Sequence, residues 1–235
     1  MDNERLIFVT GSPHSGTTIL RKIIGNHREV SALEREISLN HITKDSIKKI
    51  NTKFIVAKSP HCDDNFCDII RSYTKTKAVC VVRHPLEVFA SLKMRFVHEN
   101  KTQIEQRMVT WIKHNMNCIS LKNESRDNIR VIKYENLFHD NYIEVKNIFE
   151  WLGLDYYPEI ISQNQNIPSK VNWSGNIPKV MPERTRQEAF RTYQINQPFL
   201  LAESKYKKVF SQDQIDSIVS NEYISDIMQE FDYEQ

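Results

Sequence analysis

The sequence has no long apolar run, and this absence excludes a membrane-spanning protein. A transmembrane helix needs about 18 or more consecutive apolar residues, and no segment of the chain approaches that length. The apolar run nearest the N-terminus, Leu6-Ile7-Phe8-Val9, is shorter than the apolar core of a secretory signal peptide. We therefore expect neither a membrane partner nor a secretory leader.

The cysteines are few and lack a metal-binding pattern. Of the four, Cys62 and Cys67 lie close together, but no second Cys/His pair follows at zinc-site spacing. Cys80 lies inside an apolar run and is interpreted as a small core residue. We interpret all four, including Cys118, as reduced thiols of a cytoplasmic protein. No metal is expected.

A strong excess of one charge sign is also absent. The 235 residues carry a formal net charge of +2 and have a pI of about 8.3. This balance is too mild to indicate a nucleic-acid partner, although local basic clusters can still bind a phosphorylated ligand. With 40% hydrophobic residues, a chain of this length can bury a substantial core without disulfides.

Apolar runs alternate with segments of helical periodicity. Continuous apolar strands separated by helices are typical of a parallel sheet that is covered on both faces. We therefore predict an α/β fold, a P-loop-like three-layer α/β/α arrangement with a mainly parallel central sheet. The predicted strands are 5–10, 53–57, 78–82 and 128–133. Residues 30–36 are interpreted as a short connection to a polar helix that ends near Lys49, residues 155–186 as irregular, and the chain from Gln212 onward as helical.

A glycine-bearing loop, Gly11–Thr18, follows the first predicted strand and leads into a helix. In this setting backbone N–H groups converge on an anion at the helix N-terminus. Gly11 and Gly16 have the spacing of the two glycines of the ATP-binding P-loop, and Thr18 stands where that motif has its Ser or Thr. The P-loop lysine is replaced by Thr17, which argues against triphosphate chemistry. The loop is therefore predicted to bind a nucleotide anion other than ATP.

Two further strands end in cationic residues. Lys58 and His61 follow the second predicted strand, and Arg83 follows the third, with Ser91 on the next helix. Ligands of doubly wound sheets collect at the carboxyl ends of the strands. Arg83 offers a charge-assisted fork to a phosphate, and Ser91 offers a hydroxyl one or two helical turns away.

Together these motifs resemble the sulfotransferase family, whose members move a sulfuryl group from 3′-phosphoadenosine 5′-phosphosulfate (PAPS) to a hydroxyl or amine. The resemblance runs from Leu6 to about Phe199 and implies one sulfotransferase domain over residues 1–235. Tyr134-Glu135-Asn136-Leu137 and the segment from Arg191 to Pro198 are also similar to the family. The resemblance implies a 5′-phosphosulfate loop that comprises Ser12, Pro13, His14, Ser15, Gly16, Thr17 and Thr18.

The resemblance also implies roles for individual residues. Arg83 and Ser91 would bind the 3′-phosphate, and Arg191 would close over it. Lys58 would stabilise the leaving oxygen as the sulfuryl group departs. His14 stands where many family members carry Lys or Arg, and near neutral pH a histidine is cationic only part of the time.

The acceptor must lose a proton, and three residues are candidates for the general base. His61 is the first choice, because it closely follows the lysine-containing turn, although Pro60 intervenes. Glu34 is the rival, since other branches of the family use a glutamate in the connection after the first helix. Glu36 is a third option. A positioned base contributes roughly 10²–10⁴ in rate.

The resemblance implies PAPS as donor and adenosine 3′,5′-bisphosphate (PAP) as product. A monoanionic sulfuryl group requires no metal, and the sequence has no carboxylate cluster that would hold Mg²⁺. No motif identifies the acceptor, which can be a small alcohol, phenol, carbohydrate or peptide, and none indicates the oligomeric state. The segments 95–98 and 171–181 are expected to line the acceptor pocket. Two alternatives stay open: a P-loop nucleotide kinase and a non-catalytic module that binds PAPS or another nucleotide.

Overall fold

A computed structural model describes residues 3–37, 50–59, 61–95, 101–162 and 204–234. Their centre is a five-stranded sheet with strand order β2-β3-β1-β4-β5, in which every pairing is parallel. The predicted parallel sheet is therefore confirmed. The strands are β1 Leu6–Gly11, β2 Val30–Glu36, β3 Phe54–Lys58, β4 Lys77–Val82 and β5 Ile129–Lys133.

Helices cover both faces of the sheet, which confirms the predicted three-layer α/β/α fold. Side chains of β1 alternate between two apolar clusters: Leu6 and Phe8 belong to one, Ile7 and Val9 to the other. Because both faces are buried, the strand reads as a continuous apolar run. The helices are α1 Thr17–Gly25, α2 Asp64–Ser72, α3 Pro85–Arg95, α4 Lys101–Asn123, α5 Ile143–Leu152, α6 Glu159–Ser162, α7 Tyr206–Val209, α8 Gln212–Val219 and α9 Glu222–Glu230.

The prediction for residues 30–36 was wrong, because this segment is not a connection but the edge strand β2. Among the described strands it pairs only with β3, in parallel, with Val30 opposite Phe54 and Ala32 opposite Val56. An edge strand has one neighbour and keeps polar side chains, so it lacks the apolar run that identifies a central strand. A register shift after Ala32 then brings Glu36 opposite Lys58.

The second half of the chain is only partly described. The segment predicted to be irregular from Asp155 contains the short helix α6 before the described residues stop at 162. The predicted polar helix before Lys49 and the segment that contains Arg191 lie outside the described residues.

The prediction of helix from Gln212 onward is confirmed by α8 and α9. Helix α8 begins with a capping box in which Ser211 and Gln214 satisfy each other's backbone N–H groups. Helix α9 buries Ile224, Ile227 and Met228 in the core on the α4 side of the sheet. None of the described helices combines the length and apolar character that crossing a bilayer requires.

Candidate active site

The loop after β1 is held by two close backbone approaches. A Cβ at Gly11 would lie 2.4 Å from the carbonyl oxygen of Val81, and one at Gly16 would lie 2.1 Å from the ring of Tyr134. Gly16 also has a φ of 93°, in the left-handed region that favours glycine. Only a residue without a side chain fits at either position, so the loop packs closely against Val81 of β4 and against Tyr134.

The loop buries hydroxyl groups at the end of the strand. Ser12, Ser15 and Thr17 are 2%, 0% and 5% exposed. The Ser15 hydroxyl has no hydrogen-bond partner among the described residues. A buried polar group without a partner costs about 1–3 kcal/mol, so native proteins usually satisfy such groups. Ser15 therefore points to a ligand that enters this loop.

Lys58 lies beside the loop, at the end of β3. Its ammonium donates to the hydroxyl of Thr18, at 3.1 Å, and to Glu36 Oε1, at 2.9 Å. Strand β3 is the direct neighbour of β1, and this pairing carries Lys58 to the first turn of α1. Its side chain is 17% exposed, so it adds a fixed cation to the loop.

Arg83 approaches the loop from the other neighbouring strand, β4. Its guanidinium donates to the backbone oxygen of His14 at 3.2 Å and lies over the ring of Tyr134, 4.4 Å from the ring centre. Glu87 is 3.8 Å from the guanidinium, and the Nε atom of Arg83 is buried without a partner among the described residues. The Arg83 guanidinium is therefore held by the backbone oxygen of His14, while its Nε–H group can still donate a hydrogen bond to a ligand.

Helix α3 brings Ser91 and Arg95 to the same loop. The Ser91 hydroxyl lies 2.7 Å from His14 Nδ1, and the Arg95 guanidinium lies 3.4 Å from His14 Nε2. The two residues are four positions apart, one helical turn, so they share a face of α3. The predicted phosphosulfate loop and the predicted 3′-phosphate pair, Arg83 and Ser91, thus meet at His14.

Comparisons with known proteins agree with this arrangement. Residues 46–159 match a protein-family model described as "Sulfotransferase family". Over these residues the chain is similar to the sulfotransferase family. No curated protein matches the sequence significantly. The match to the family model includes β3 to β5 and hence Lys58, Arg83 and Ser91, so most of the chain's predicted sulfotransferase residues outside the glycine loop fall within it.

Solved structures with a similar fold cover almost the whole of this chain. Mouse sulfotransferase SULT7A1 complexed with PAP matches with a TM-score of 0.63 and 15% identity, over 96% of this chain and 89% of that chain. The sulfotransferase domain from the curacin biosynthetic pathway matches with a TM-score of 0.58 and 15% identity, over 97% of both chains. A retinol dehydratase in a complex with retinol and PAP matches with a TM-score of 0.58 and 11% identity, over 99% of this chain and 84% of that chain. Identities this low establish the fold alone.

His14 is buried and surrounded by cations, which favours its uncharged form. Burial, and then the positive charges of Arg95, Arg83, Lys58 and Arg107 in that order, lower its pKa to about 3. A neutral imidazole has one donor and one acceptor nitrogen, and a guanidinium can only donate. Nε2 therefore accepts from Arg95, and Nδ1 carries the hydrogen that it donates to Ser91. With a φ of 67°, His14 also lies in the left-handed region.

The pKa of His14 predicts an acid-sensitive stability. The unfolded chain protonates this histidine below about pH 6.5 and the folded chain only near pH 3, so the unfolded state binds more protons in between. Stability is therefore retained above pH 6.5 and lost as the pH falls. We expect urea unfolding of His14→Asn, whose side chain tolerates a positive φ, to lack about 2 kcal/mol of the decrease that the wild type shows between pH 7 and pH 4.5.

Both proteins share every other titrating group, so the difference between their pH profiles isolates His14. Parallel profiles from pH 7 to pH 4.5 would contradict the assignment.

The three candidate bases differ in their surroundings. Glu36 is paired with Lys58 at 2.9 Å, and the side chain of Glu34 lies outside the described part of the chain.

His61 lies three residues beyond Lys58, on the turn that follows β3. Its ring faces His114 of α4, with 4.9 Å between the ring centres. The Nδ1 atoms of both histidines are buried without a partner in the described ranges. Burial, and then the charge of His61, lower the pKa of His114 to about 4. The choice between His61, Glu34 and Glu36 stays a prediction.

Several residues of the site were not predicted. Arg95 was expected in an acceptor pocket, but it contacts His14, and Arg107 was not considered at all. The four-residue spacing from Ser91 to Arg95 is the signal that would have indicated a shared helix face. Tyr134 was noted only as part of a segment similar to the family, and nothing in the sequence indicated that its ring fills the space between Gly16 and Arg83. Arg191 and residues 96–98 lie outside the described residues.

Proposed function

We propose that this protein transfers a sulfuryl group from PAPS to a hydroxyl or amine acceptor by in-line displacement. The observation that carries the proposal is the meeting of two anion-binding groups at one residue, His14: the glycine loop contributes His14 itself, and Arg83 and Ser91 both contact it. A nucleotide with a charged group at each end matches such a pair of groups.

The described residues fit this donor. The loop has a glycine, Gly16, at which a Cβ would collide with the ring of Tyr134, and it supplies a buried hydroxyl, that of Ser15, which has no partner among the described residues. The buried Nε of Arg83 likewise has no partner in the part of the chain that the structure describes. Positive charges from Lys58 and Arg83 reach the same loop, and a doubly charged nucleotide would offset them.

In the proposed mechanism, the chain supplies position and charge. PAPS, when bound, supplies the activated sulfuryl group and a bisphosphate leaving group. The loop amides and Ser15 hold the 5′ end, while Arg83 and Ser91 hold the 3′-phosphate. The Lys58 ammonium neutralises the charge that develops on the leaving oxygen. One of His61, Glu34 or Glu36 accepts the proton of the acceptor hydroxyl.

A P-loop kinase is the weaker alternative. The hydroxyl that binds Mg²⁺ in a P-loop corresponds to that of Thr18, and here this hydroxyl accepts a hydrogen bond from Lys58 at 3.1 Å. A cation on this hydroxyl competes with a metal ion for the same oxygen. A non-catalytic nucleotide-binding module would use the same loop and Arg83 but would transfer nothing.

The donor assignment is tested by ligand stabilisation. PAP is expected to raise the melting temperature of the protein in proportion to the logarithm of its concentration, because it binds the folded state alone. ATP with Mg²⁺ serves as the comparison and is expected to have a much smaller effect. Equal stabilisation by ATP–Mg²⁺ with none by PAP would reject the proposal. Labelled PAPS, offered with a panel of alcohols, phenols, carbohydrates and peptides, then separates an enzyme from a binding module.

Arg83→Ala provides the matched variant for this test. Loss of one charged hydrogen-bond partner is expected to weaken PAP binding about ten- to a hundredfold. Arg28→Ala is the control, because Arg28 lies beyond the C-terminal end of α1 and contacts the ring of Tyr157. Equal PAP affinity in the two variants would remove Arg83 from the site. The cytoplasmic location and the absence of nucleic-acid and membrane partners stay predictions.

A further inference from the structure

The four cysteines of the chain converge in one buried cluster. They come from separate elements: Cys62 from the turn after β3, Cys67 from α2, Cys80 from β4 and Cys118 from α4. Each is at most 2% exposed. The Sγ atoms of Cys62, Cys80 and Cys118 all lie within 4.8 Å of one another, and the thiol of Cys62 also interacts with that of Cys67.

This geometry is close to that of a tetrahedral thiolate site. Zinc binds cysteine sulfur at about 2.3 Å, which places neighbouring ligand atoms about 3.8 Å apart. The three sulfur atoms that lie within 4.8 Å of one another therefore need only small rotations to enclose an ion. Cys62 and Cys67 are separated by four residues, within the spacing of paired zinc ligands. The second pair, Cys80 and Cys118, is assembled by the fold.

Thiolates are the metal-binding form of cysteine, so an ion in this cluster would replace the protons of the thiols that ligate it. The cluster is lined by the apolar core on the α4 side of the sheet. Soft sulfur ligands in such a setting select Zn²⁺ or Cu⁺ over Mg²⁺ or Ca²⁺.

We propose that Cys62, Cys67, Cys80 and Cys118 form a structural site for a thiophilic metal ion, with Zn²⁺ as the ion that fits the four-sulfur set. Metal–sulfur bonds form as the ligating thiols release their protons to solvent, and no electron is transferred. The site is distinct from the glycine loop and requires no part of the proposed sulfuryl transfer.

The ion would stiffen two segments next to the active-site cations, the turn after β3 and strand β4. Cys62 is four residues after Lys58, and Cys80 is three residues before Arg83. Helix α4 already contacts the turn after β3, since the side chain of Asn117 donates to the backbone oxygen of Cys62 at 3.0 Å. Bonds from one ion to Cys62, Cys80 and Cys118 would join both segments to α4.

Metal content and a spectroscopic probe test the site on the whole chain. Protein purified under reducing conditions is expected to contain one equivalent of zinc by mass spectrometry of the metal. After removal with a chelator, titration with Co²⁺ is expected to give the visible bands of a tetrahedral site and a sulfur-to-cobalt charge-transfer band, both saturating at one equivalent. Returning Zn²⁺ is expected to displace the cobalt and to raise the melting temperature.

Cys80→Ala and Cys118→Ala are expected to lose the charge-transfer band and the zinc. Val79→Ala is the matched control, because Val79 is the neighbour of Cys80 in β4 but packs in the opposite apolar cluster. Val79→Ala truncates one side chain of the same strand but keeps all four thiols, so we expect this variant to retain zinc. Where a cysteine variant does not fold, the stoichiometry and the Co²⁺ spectrum of the wild type decide alone.

Three results would overturn the proposal. The first is a wild-type protein with four titratable thiols and no zinc or Co²⁺ uptake. The second is an unchanged Co²⁺ spectrum in Cys80→Ala. The third is a disulfide within the cluster under the reducing conditions of the preparation. None of these results bears on PAP binding, so the donor assignment and the metal site fail independently.

Discussion

Lys58→Met is expected to reduce kcat about 10²–10³-fold, the loss that follows removal of one preorganised donor from a transition state. Lys58 is held by Thr18 at 3.1 Å and by Glu36 at 2.9 Å, so its ammonium is already positioned before the reaction begins. Methionine keeps the length of the apolar stem and removes the charge. The measurement is turnover of labelled PAPS with the best acceptor from the panel.

The effect should fall on kcat far more than on PAP affinity, because the charge at the leaving oxygen develops only in the transition state. Lys53→Met is the control: Lys53 precedes the same strand at its other end, where it donates to the backbone oxygen of Gly153 at 2.9 Å. Equal turnover in the two variants would exclude Lys58 from the chemical step. Lys58→Arg keeps the charge and is expected to retain part of the rate.

Gly16→Ala is expected to destabilise the protein by about 2–5 kcal/mol. The left-handed backbone of Gly16 contributes about 1–2 kcal/mol of this cost, and overpacking of the added methyl adds about 1–3 kcal/mol. The methyl would lie 2.1 Å from the ring of Tyr134. That ring is 3% exposed and is confined by Arg83 and Phe138, so it has no room to withdraw. Urea unfolding gives the free energy of unfolding directly.

Gly153→Ala separates the cost of a left-handed backbone from the cost of the steric clash with Tyr134. Gly153 also has a positive φ, of 69°, but a Cβ there meets nothing within 4 Å. Its replacement should therefore cost only the backbone term, about 1–2 kcal/mol. The larger loss at Gly16 should be accompanied by weaker PAP binding, because the displaced ring supports Arg83. If both alanine variants unfold at the same urea concentration, the close approach of the loop to Tyr134 is not a constraint.

The fold was predictable wherever both faces of a strand are buried. Strands β1 and β4 carry unbroken apolar runs because helices cover each face, and such runs are visible in the sequence. Strand β2 was missed because it lies at the edge and contains two glutamates and an arginine among seven residues. Its identity depends on pairing with β3, and pairing between distant segments leaves no local pattern.

The site was predictable where a motif fixes the backbone. The spacing of Gly11 and Gly16 indicated the loop, and the ends of β3 and β4 indicated Lys58 and Arg83. The contacts between these groups could not be predicted. The pairing of Glu36 with Lys58 depends on a register shift between β2 and β3, and the cysteine cluster depends on how α4 packs on β4. Each is set by tertiary packing rather than by spacing along the chain.

The strand order has a consequence for the size of the nucleotide that fits. Strand β1 lies between β3 and β4, so Lys58 and Arg83 are carried by strands two steps apart in the sheet. Neighbouring strands are about 4.8 Å apart, which separates the origins of the two cations by about 10 Å. The hydrogen bonds between the strands fix this separation, so it sets the distance between the two anionic groups that a ligand must have. A mononucleotide with a single anionic group would reach only one of the two cations.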